Sequence, residues 1–547
     1  MSAPTVSAPT VSAPTPPPAE ARAQHDIVLT TFNARFIHCA FGLRYLLANL
    51  GPLRPRATLV ESVLGTRPAD LAEELLRSRP RIVGISVFIW NVRESLELLR
   101  ILKRLQPSLV VVVGGPEVSH ELFSSPFAAE ADAVITGDGE HAFASLCADV
   151  LGADGSGRSA WSGPRVIEGG KLSLDDLVLP YDDYTADDLA HRVVYVEASR
   201  GCPFRCEFCL SALDKGVRPG SLERLMSAWD RLIERGLRQF KFVDRTFNLD
   251  MDASTAILDF FLAHLRRLES EGAAPLFLHF EMIPDRLPDA LRERLRAFPP
   301  GSLQLEVGVQ TLDPAVSKRI SRVQNLDRLR DNFRFLREET HAHVHADLIV
   351  GLPGETQASF AAGFDALHAL GPEEIQVGIL KRLKGAPIAR HEPEFQLVFA
   401  PEPPFEVLST STLSFSEVQL LRRFAQVHDQ VVNRGHFPRA TRLLLDGATS
   451  AFDRLRALTH FVETELGRTH AVALGPLADL LYRFLTSELA LAPDMVGPAL
   501  RDDYVAGGKR GLTPFLQTVP GSSAPRPSRN SRSGATPSRQ ERHAALD

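Results

Sequence analysis

Residues 199–209 read SRGCPFRCEFC and hold three of the chain's five cysteines. Cys202, Cys206 and Cys209 have the spacing C-x3-C-x2-C and directly follow VVYVEAS at 193–199, an apolar run that predicts a strand. Three thiolates are one short of the four protein ligands that a structural zinc site takes. An iron–sulfur cube held by three thiolates leaves one iron open to another ligand. The spacing therefore favours an iron–sulfur centre over zinc.

The residues around this motif alternate between apolar strands and amphipathic helices. Between 193 and 385 the sequence predicts six strand–helix units, typical of a partial (β/α)6 barrel with its active site at the carboxyl ends of the strands. Between 26 and 150, β-branched runs separated by helices predict a doubly wound, Rossmann-like α/β domain. The fold class is therefore α/β with a helical C-terminal domain.

Composition changes along the chain predict the segment boundaries. The Pro- and Ser-rich ends bury little apolar surface and are expected to be disordered. The predicted segments are a disordered tail 1–25, a first domain 26–150, a linker 151–190, a barrel domain 191–390, a helical domain 391–505 and a disordered tail 506–547.

Charge and hydropathy exclude several functional classes. A formal charge of -6 over 547 residues lacks the basic excess of a dedicated nucleic-acid-binding protein. The sequence contains no apolar run of the roughly 18 to 20 residues that span a bilayer, and we expect no secretory signal. Three clustered cysteines among five do not form a disulfide framework. We expect a cytoplasmic protein with a small-molecule substrate, no membrane association and no nucleic-acid partner.

The barrel segment resembles the radical S-adenosylmethionine superfamily, on the cysteine motif, KFVDRTFN, LEVGVQT and HADLIVGLPGE. The resemblance implies that Cys202, Cys206 and Cys209 hold a catalytic [4Fe–4S] cluster whose open iron binds S-adenosylmethionine. It also implies cofactor contacts from four further residues. These are Phe208 against the adenine, Asp244, Glu306 and Gln310.

The alternating residues His341, His343, His345 and Asp347 would resemble a metal set if taken alone. Because no fitting partner ligands are visible elsewhere, we interpret them as a polar stripe of the barrel.

The first domain resembles the cobalamin-binding module that precedes many of these enzymes. The matching positions are Ser86, Gly114, Gly115, Pro116, Gly137, Asp138, Gly139 and Glu140. Modules that supply a cobalt-binding histidine carry D-x-H-x-x-G, whereas the corresponding loop here reads FNARFIHCAFG. Cobalt ligation by His38 is therefore one hypothesis, and a histidine that caps or packs the loop is the other.

The whole pattern resembles the branch of B12-binding radical enzymes with a DUF4080-type C-terminal domain. This resemblance implies a methyltransferase acting on an unactivated carbon, with a flavodoxin or ferredoxin as electron donor. Two alternatives stay open: a cyclase or rearrangement enzyme that uses the same cofactors without methyl transfer, and a cobalamin sensor or binding protein.

Overall fold

The computed structural model describes residues 24–152, 161–506 and 511–519, together with residue 540. Most of the two tails expected to be disordered, and most of the Gly-rich part of the expected linker, lie outside the described residues. The predicted domain boundaries stay predictions.

The first domain is built on a parallel sheet with strand order β2-β1-β3-β4-β5-β6. Its strands are β1 Ile27–Asn33, β2 Ala57–Val63, β3 Ile82–Ser86, β4 Val110–Gly114, β5 Ala133–Thr136 and β6 Val166–Glu168. Its helices are α1 Phe41–Ala48, α2 Pro68–Leu76, α3 Val92–Leu105, α4 Pro126–Glu130 and α5 Glu140–Leu151. Every residue of β1 is buried, because helices cover both faces of the sheet. This confirms the predicted doubly wound fold.

One strand of this sheet comes from the segment that we expected to be linker. β6 pairs in parallel with β5 through Val134 and Val166. Only three residues long and preceded by a Gly- and Ser-rich stretch, it gives no periodic signal that sequence analysis could detect.

The second domain follows the short helix α6 Ala186–His191 and has a parallel sheet in the order β14-β13-β12-β11-β10-β7. Its strands are β7 Val194–Val196, β8 Ser199–Cys202, β9 Gly216–Pro219, β10 Gln239–Phe242, β11 Phe277–Met282, β12 Leu303–Gln310, β13 His343–Val350 and β14 Glu374–Ile379. Strands β8 and β9 form a separate antiparallel hairpin. The helices of the second domain are α7 Leu222–Glu234, α8 Met251–Ser270, α9 Asp289–Arg296, α10 Pro314–Arg319, α11 Leu326–Glu339 and α12 Gln357–Ala369. The sheet confirms the six predicted strands of a partial barrel.

The C-terminal region is mainly helical, as predicted, and shares a core with the barrel. Its elements are α13 Glu392–Phe395, β15 Val398–Phe399, β16 Val407–Ser409, α14 Phe415–His428, α15 Pro438–Leu445, α16 Ala451–Leu466, α17 Leu474–Arg483, α18 Pro493–Ala506 and α19 Pro514–Thr518. The ring of Phe364 in α12 meets that of Phe424 in α14 edge to face at 5.0 Å. Within the described ranges, every helix is too short or too polar to cross a bilayer.

Neighbouring segments cover both edges of the barrel sheet. At the β7 edge, the Val193 N–H donates to the Ile37 carbonyl at 2.7 Å, so the loop after β1 acts as an added strand. At the β14 edge, Asn433 Oδ1 accepts from the Ile375 N–H at 3.1 Å, and Asn433 Nδ2 donates to the Ile375 carbonyl at 2.9 Å. At each edge, a neighbouring segment thus hydrogen-bonds backbone groups of one residue.

Replacement of Asn433 should weaken the attachment of the C-terminal helices. Asn433→Ala leaves the buried N–H and C=O of Ile375 without these bonds, which should lower the free energy of unfolding by about 2–4 kcal/mol. Urea denaturation followed by circular dichroism measures this loss. Asn433→Asp, which buries a carboxylate against the Ile375 carbonyl, should lose at least as much. An unchanged urea midpoint in the alanine variant would contradict the role of this side chain.

Candidate functional site

The three cysteines lie in a loop that begins at the β8–β9 hairpin. Cys202 is the last residue of β8, while Cys206 and Cys209 follow in the loop; the first two are buried and Cys209 is partly exposed. Gly201 has φ +92, and a side chain there would meet the Gly216 carbonyl oxygen at 2.2 Å. Only glycine therefore permits this close approach of the two hairpin strands. Burial raises the pKa of Cys202, and the neighbouring thiols raise it further.

A cavity of about 150 Å³ at the carboxyl ends of the barrel strands brings most of the site residues predicted in the barrel domain together. Its lining includes Cys202, Cys206, Cys209, Phe208, Glu306 and Gln310. The sequence pattern thus identified residues from the cysteine loop and from β12, about a hundred positions away, that share one space.

Asp244 differs from this group, because it lies beside the cavity and not among its lining residues. Its carboxylate accepts hydrogen bonds from the Ala198 N–H at 2.9 Å and from Ser199 Oγ at 2.6 Å. Burial raises its pKa, against the effect of these bonds. Asp244 therefore holds the chain between β7 and the cysteine hairpin, and its direct contact with the cofactor stays a prediction.

Glu306 and Gln310 both lie on β12 and line the cavity, but their surroundings differ. Glu306 Oε2 lies 2.9 Å from His279 Nε2 and 3.7 Å from Lys241 Nζ. Burial alone would raise the pKa of Glu306, but the hydrogen bond with His279 and the charge of Lys241 lower it to about 2. Gln310 has φ +71 at a register shift between β12 and β13. The carboxylate is held ionised at the cavity, and the amide lies at an irregular strand end.

Arg322 is a cavity residue that sequence analysis missed. Its Nη1 lies 3.3 Å from Cys206 Sγ, its Nη2 donates to the Gly308 carbonyl, and its buried Nε has no hydrogen-bond partner among the residues that the structure describes. The residue stands in an irregular segment between α10 and α11, where no periodicity or motif marks it. Glu281 and Thr246 also line the cavity, and sequence analysis missed both. Their positions near the ends of predicted strands were the signal that could have identified them.

Glu207, between Cys206 and Phe208, anchors the cysteine loop. Its buried carboxylate accepts from Ser321 Oγ at 2.6 Å and from Arg390, and it lies 2.7 Å from His391 Nε2. The Ile388 N–H donates to the Glu207 carbonyl at 2.8 Å. The loop is therefore tied both to the segment after α10 and to the start of the C-terminal region.

Two histidines of the predicted stripe, His343 and His345, lie on β13 beside carboxylates. His343 Nε2 lies 3.0 Å from Glu374 Oε1, and His345 Nε2 lies 3.4 Å from Asp347 Oδ1. These pairs agree with the interpretation of a polar barrel stripe.

In the first domain, the predicted ligand-binding glycines lie at the carboxyl ends of β4 and β5. Gly115 has φ +109, and a side chain there would meet the Val87 carbonyl oxygen at 2.6 Å. Both features require glycine at this position. Gly114 ends β4 and Pro116 follows Gly115, while Gly137 and Gly139 follow β5. Ser86 ends β3, and its carbonyl accepts from Thr31 Oγ1 at 2.9 Å.

Glu140 and His38 face the barrel domain. Glu140 is buried against Arg200, with 2.8 Å between Oε1 and Nη2, and Arg200 also contacts Glu197 at 3.1 Å. His38 Nδ1 lies 2.7 Å from Tyr195 Oη, and burial lowers the pKa of this histidine. The structure therefore gives both residues contacts between the domains, and cobalt ligation by His38 stays a hypothesis.

Loss of Glu207 should weaken the cysteine loop. Glu207→Ala leaves Ser321, Arg390 and His391 without their shared acceptor, at a cost of about 3 kcal/mol. We expect less iron bound per chain after anaerobic reconstitution, measured by iron and sulfide analysis.

Glu73→Ala, on the surface of α2, should bind as much iron as the unaltered protein. Glu207→Gln keeps the shape of the side chain without its charge, and its iron content should lie between those of Glu207→Ala and Glu73→Ala. Equal iron content in Glu207→Ala and Glu73→Ala would rule out an anchoring role.

Three family models match consecutive parts of the chain. The B12 binding domain matches residues 29–147, the Radical SAM superfamily residues 196–366, and a protein of unknown function, DUF4080, residues 393–523. The radical SAM match implies a [4Fe–4S] cluster and S-adenosylmethionine, and the B12 match implies cobalamin.

Similar proteins include methyltransferases. The "Uncharacterized methyltransferase PH0819" of Pyrococcus horikoshii is 27% identical over 324 residues, which are 54% of this chain and 65% of that protein. The "Cobalamin-dependent radical SAM methyltransferase TokK" of Streptomyces tokunonensis is 26% identical over 339 residues, 56% of this chain and 48% of that protein. The chain thus spans between about half and two thirds of these relatives.

A solved structure shares the fold. The cobalamin-dependent S-adenosylmethionine radical enzyme OxsB, with aqua-cobalamin and S-adenosylmethionine bound, superposes with a TM-score of 0.54 at 14% identity. The alignment covers 89% of this chain and 79% of that chain. The chain therefore carries, in this order, a B12 binding domain, a radical SAM superfamily domain and a DUF4080 region.

Proposed function

We propose that the protein is a cobalamin-dependent radical S-adenosylmethionine enzyme that transfers a methyl group to an unactivated carbon of a small molecule. One observation carries this proposal: the three cysteines, Phe208, Glu306 and Gln310 line a single cavity at the carboxyl ends of the barrel strands. The names of the methyltransferases that match this chain support the choice of reaction.

The donor set at the cavity fits an iron–sulfur cluster. Cys202, Cys206 and Cys209 all line it, and thiolates are the ligands that such clusters take. Among the described residues, no three His, Cys, Asp or Glu side chains are grouped as a single metal ion requires. A cube does not need that grouping, because each thiolate binds a different iron atom.

The strand ends of the first domain fit a large flat ligand. Gly115 lets backbone approach where any side chain would clash. Large apolar side chains are exposed in the loops after β1 and β3, and Trp90 stacks on Phe88 at 4.4 Å. Ligands of doubly wound domains bind at this edge of the sheet. Phe36 and Trp90, 59% and 44% exposed, are candidates to cover a corrin ring.

When bound, the cluster, S-adenosylmethionine and cobalamin together supply the radical and the methyl group. The chain's own residues orient these groups. Phe208 offers an aromatic surface, and the ionised Glu306 an acceptor for a cationic amino group. The Arg200–Glu140 ion pair fixes a first-domain loop against the cysteine hairpin. Placement of this kind is the main contribution of a protein to cofactor chemistry.

The proposal extends to the protein's surroundings. We infer a low-potential electron donor such as a flavodoxin or ferredoxin, a cytoplasmic location and a small-molecule substrate. Reductive chemistry at an iron–sulfur cluster needs such a donor.

Anaerobic reconstitution with iron, sulfide and hydroxocobalamin tests the proposal. We expect about four irons and about one cobalt per chain, and release of 5′-deoxyadenosine from S-adenosylmethionine under dithionite. Cys206→Ala should abolish this release, whereas Cys147→Ala, buried in the first domain, should retain it. Release of S-adenosylhomocysteine would show that S-adenosylmethionine donates a methyl group.

If the reconstituted protein binds iron but no cobalt, the cobalamin-dependent reaction is ruled out and a radical S-adenosylmethionine enzyme remains. Deoxyadenosine without any S-adenosylhomocysteine would remove methyl transfer.

A further inference from the structure

The loop after β4 of the first domain contacts the chain that follows β14 of the barrel. Glu117 Oε1 lies 3.0 Å from Lys384 Nζ, and Glu121 Oε2 lies 2.9 Å from Arg382 Nη1. The Gly385 N–H also donates to Glu121 Oε1 at 3.0 Å. Two ion pairs and a hydrogen bond thus join parts of the chain that are far apart in sequence, 261 positions from Glu121 to Arg382.

The Glu117–Lys384 pair is shielded from solvent, unlike another ion pair of the first domain. The exposed fraction of the side chain is 3% for Glu117 and 15% for Lys384. Arg93 of the first domain and Glu402 of the C-terminal region lie 3.2 Å apart, but their side chains are 65% and 64% exposed. Exposed ion pairs contribute little to stability, whereas a buried charge needs its partner. The Glu117–Lys384 pair is therefore the stronger constraint.

Loss of the Lys384 charge would release this constraint. Burial raises the pKa of Glu117, and the positive charge of Lys384 opposes that effect. Without Lys384, the carboxyl group would take up a proton or move toward solvent, because a buried carboxylate without a partner is unfavourable. In either case Glu117 would no longer hold the chain after β14 in place.

Glu117 belongs to the loop that is expected to bind cobalamin. It lies two residues after Gly115, and its N–H donates to the Val87 carbonyl at 3.3 Å. The Val87 N–H in turn donates to the Gly114 carbonyl at 2.8 Å. Backbone hydrogen bonds thus join this loop to the residue after β3, so a shift of Glu117 would move the predicted cobalamin-binding glycines with it.

Lys384 is linked to the cysteine loop by a short path. Ile388 follows four residues later, and its N–H donates to the Glu207 carbonyl at 2.8 Å. Glu207 lies between Cys206 and Phe208. The connection from Glu117 to the cysteine loop therefore consists of one ion pair, four residues of chain and one backbone hydrogen bond.

We infer that Glu117 and Lys384 are positioning residues, whose ion pair sets the separation between the cobalamin-binding loop and the cysteine loop. Their role toward the two cofactors rests on the proposed function, whereas the ion pair and its link to the cysteine loop do not. A methyl group that passes from S-adenosylmethionine in the barrel to cobalamin in the first domain crosses this separation. Misplacement of reacting groups by about 1 Å slows a reaction by about a hundredfold.

Hydrogen exchange of the full-length protein, whether or not it binds cofactors, tests the ion pair. Lys384→Met removes the ammonium group and keeps an apolar side chain of similar length. Peptides that cover residues 115–121 and 381–388 should then exchange about tenfold faster, because both segments open more easily. Arg93→Met makes the same change in the exposed pair and should leave both peptides unaltered. Unchanged exchange in a folded Lys384→Met would overturn the inference.

The ratio of two products tests positioning in the reconstituted protein. Titanium(III) citrate reduces bound cobalamin to Co(I), whose electron pair forms the new cobalt–carbon bond as the sulfonium carbon–sulfur bond breaks, and S-adenosylhomocysteine leaves. Release of 5′-deoxyadenosine needs only the cluster and S-adenosylmethionine of the barrel. Lys384→Met should lower S-adenosylhomocysteine release by about tenfold or more, while 5′-deoxyadenosine release and the bound iron and cobalt stay unchanged.

A loss of stability would lower both products together, so the ratio separates positioning from folding. Glu117→Gln removes the charge from the other partner and should change the ratio in the same direction, whereas Arg93→Met should give the ratio of the unaltered protein. Circular dichroism of each variant shows whether it folds. An unchanged ratio in folded Lys384→Met and Glu117→Gln, or an equal fall of both products, would overturn the inference.

The two proposals can fail separately. If the unaltered protein releases S-adenosylhomocysteine and the variants keep its ratio of products, only the inference fails. If the unaltered protein releases none, while Lys384→Met exchanges faster in both peptides, the proposed function fails and the ion pair remains the link between the two loops.

Discussion

The structure depends on the two open edges of the barrel sheet. A six-stranded parallel sheet that does not close on itself leaves backbone donors and acceptors along its outer strands, and these must find partners. The first domain supplies them at β7 through residues 37 and 38, and the C-terminal region supplies them at β14 through Asn433. The requirement to cover these edges therefore holds the three parts of the chain around one interior.

The same arrangement brings distant groups to the cysteine loop. Arg200, two residues before Cys202, pairs with Glu140 of the first domain, and Glu207 pairs with His391 at the start of the C-terminal region. The loop is thus stabilised from both sides by ion pairs with little exposure to solvent, where charged hydrogen bonds are strong. Its shape depends on all three parts of the chain.

Local signals in the sequence predicted the strands, the cysteines and the cavity residues Phe208, Glu306 and Gln310. Residue alternation predicts the strands and short spacing the cysteine site, whereas Phe208, Glu306 and Gln310 were predicted from the resemblance to the radical S-adenosylmethionine superfamily. The partners of Glu207 could not be predicted, because Ser321 and His391 lie 114 and 184 positions away in segments without periodicity. For the same reason the contact of Glu140 with Arg200 and those of Asp244 with Ala198 and Ser199 could not be predicted, and cofactor contacts by Glu140 and Asp244 stay predictions.

The anchoring of Glu207 by His391 also has a consequence for biosynthesis. A ribosome adds about 5–20 residues per second, so the 184 positions between these residues take on the order of ten to forty seconds to make. During that interval the cysteines have left the ribosome while the partner of their loop does not yet exist. The loop can therefore reach its anchored shape only after the nascent chain has passed His391.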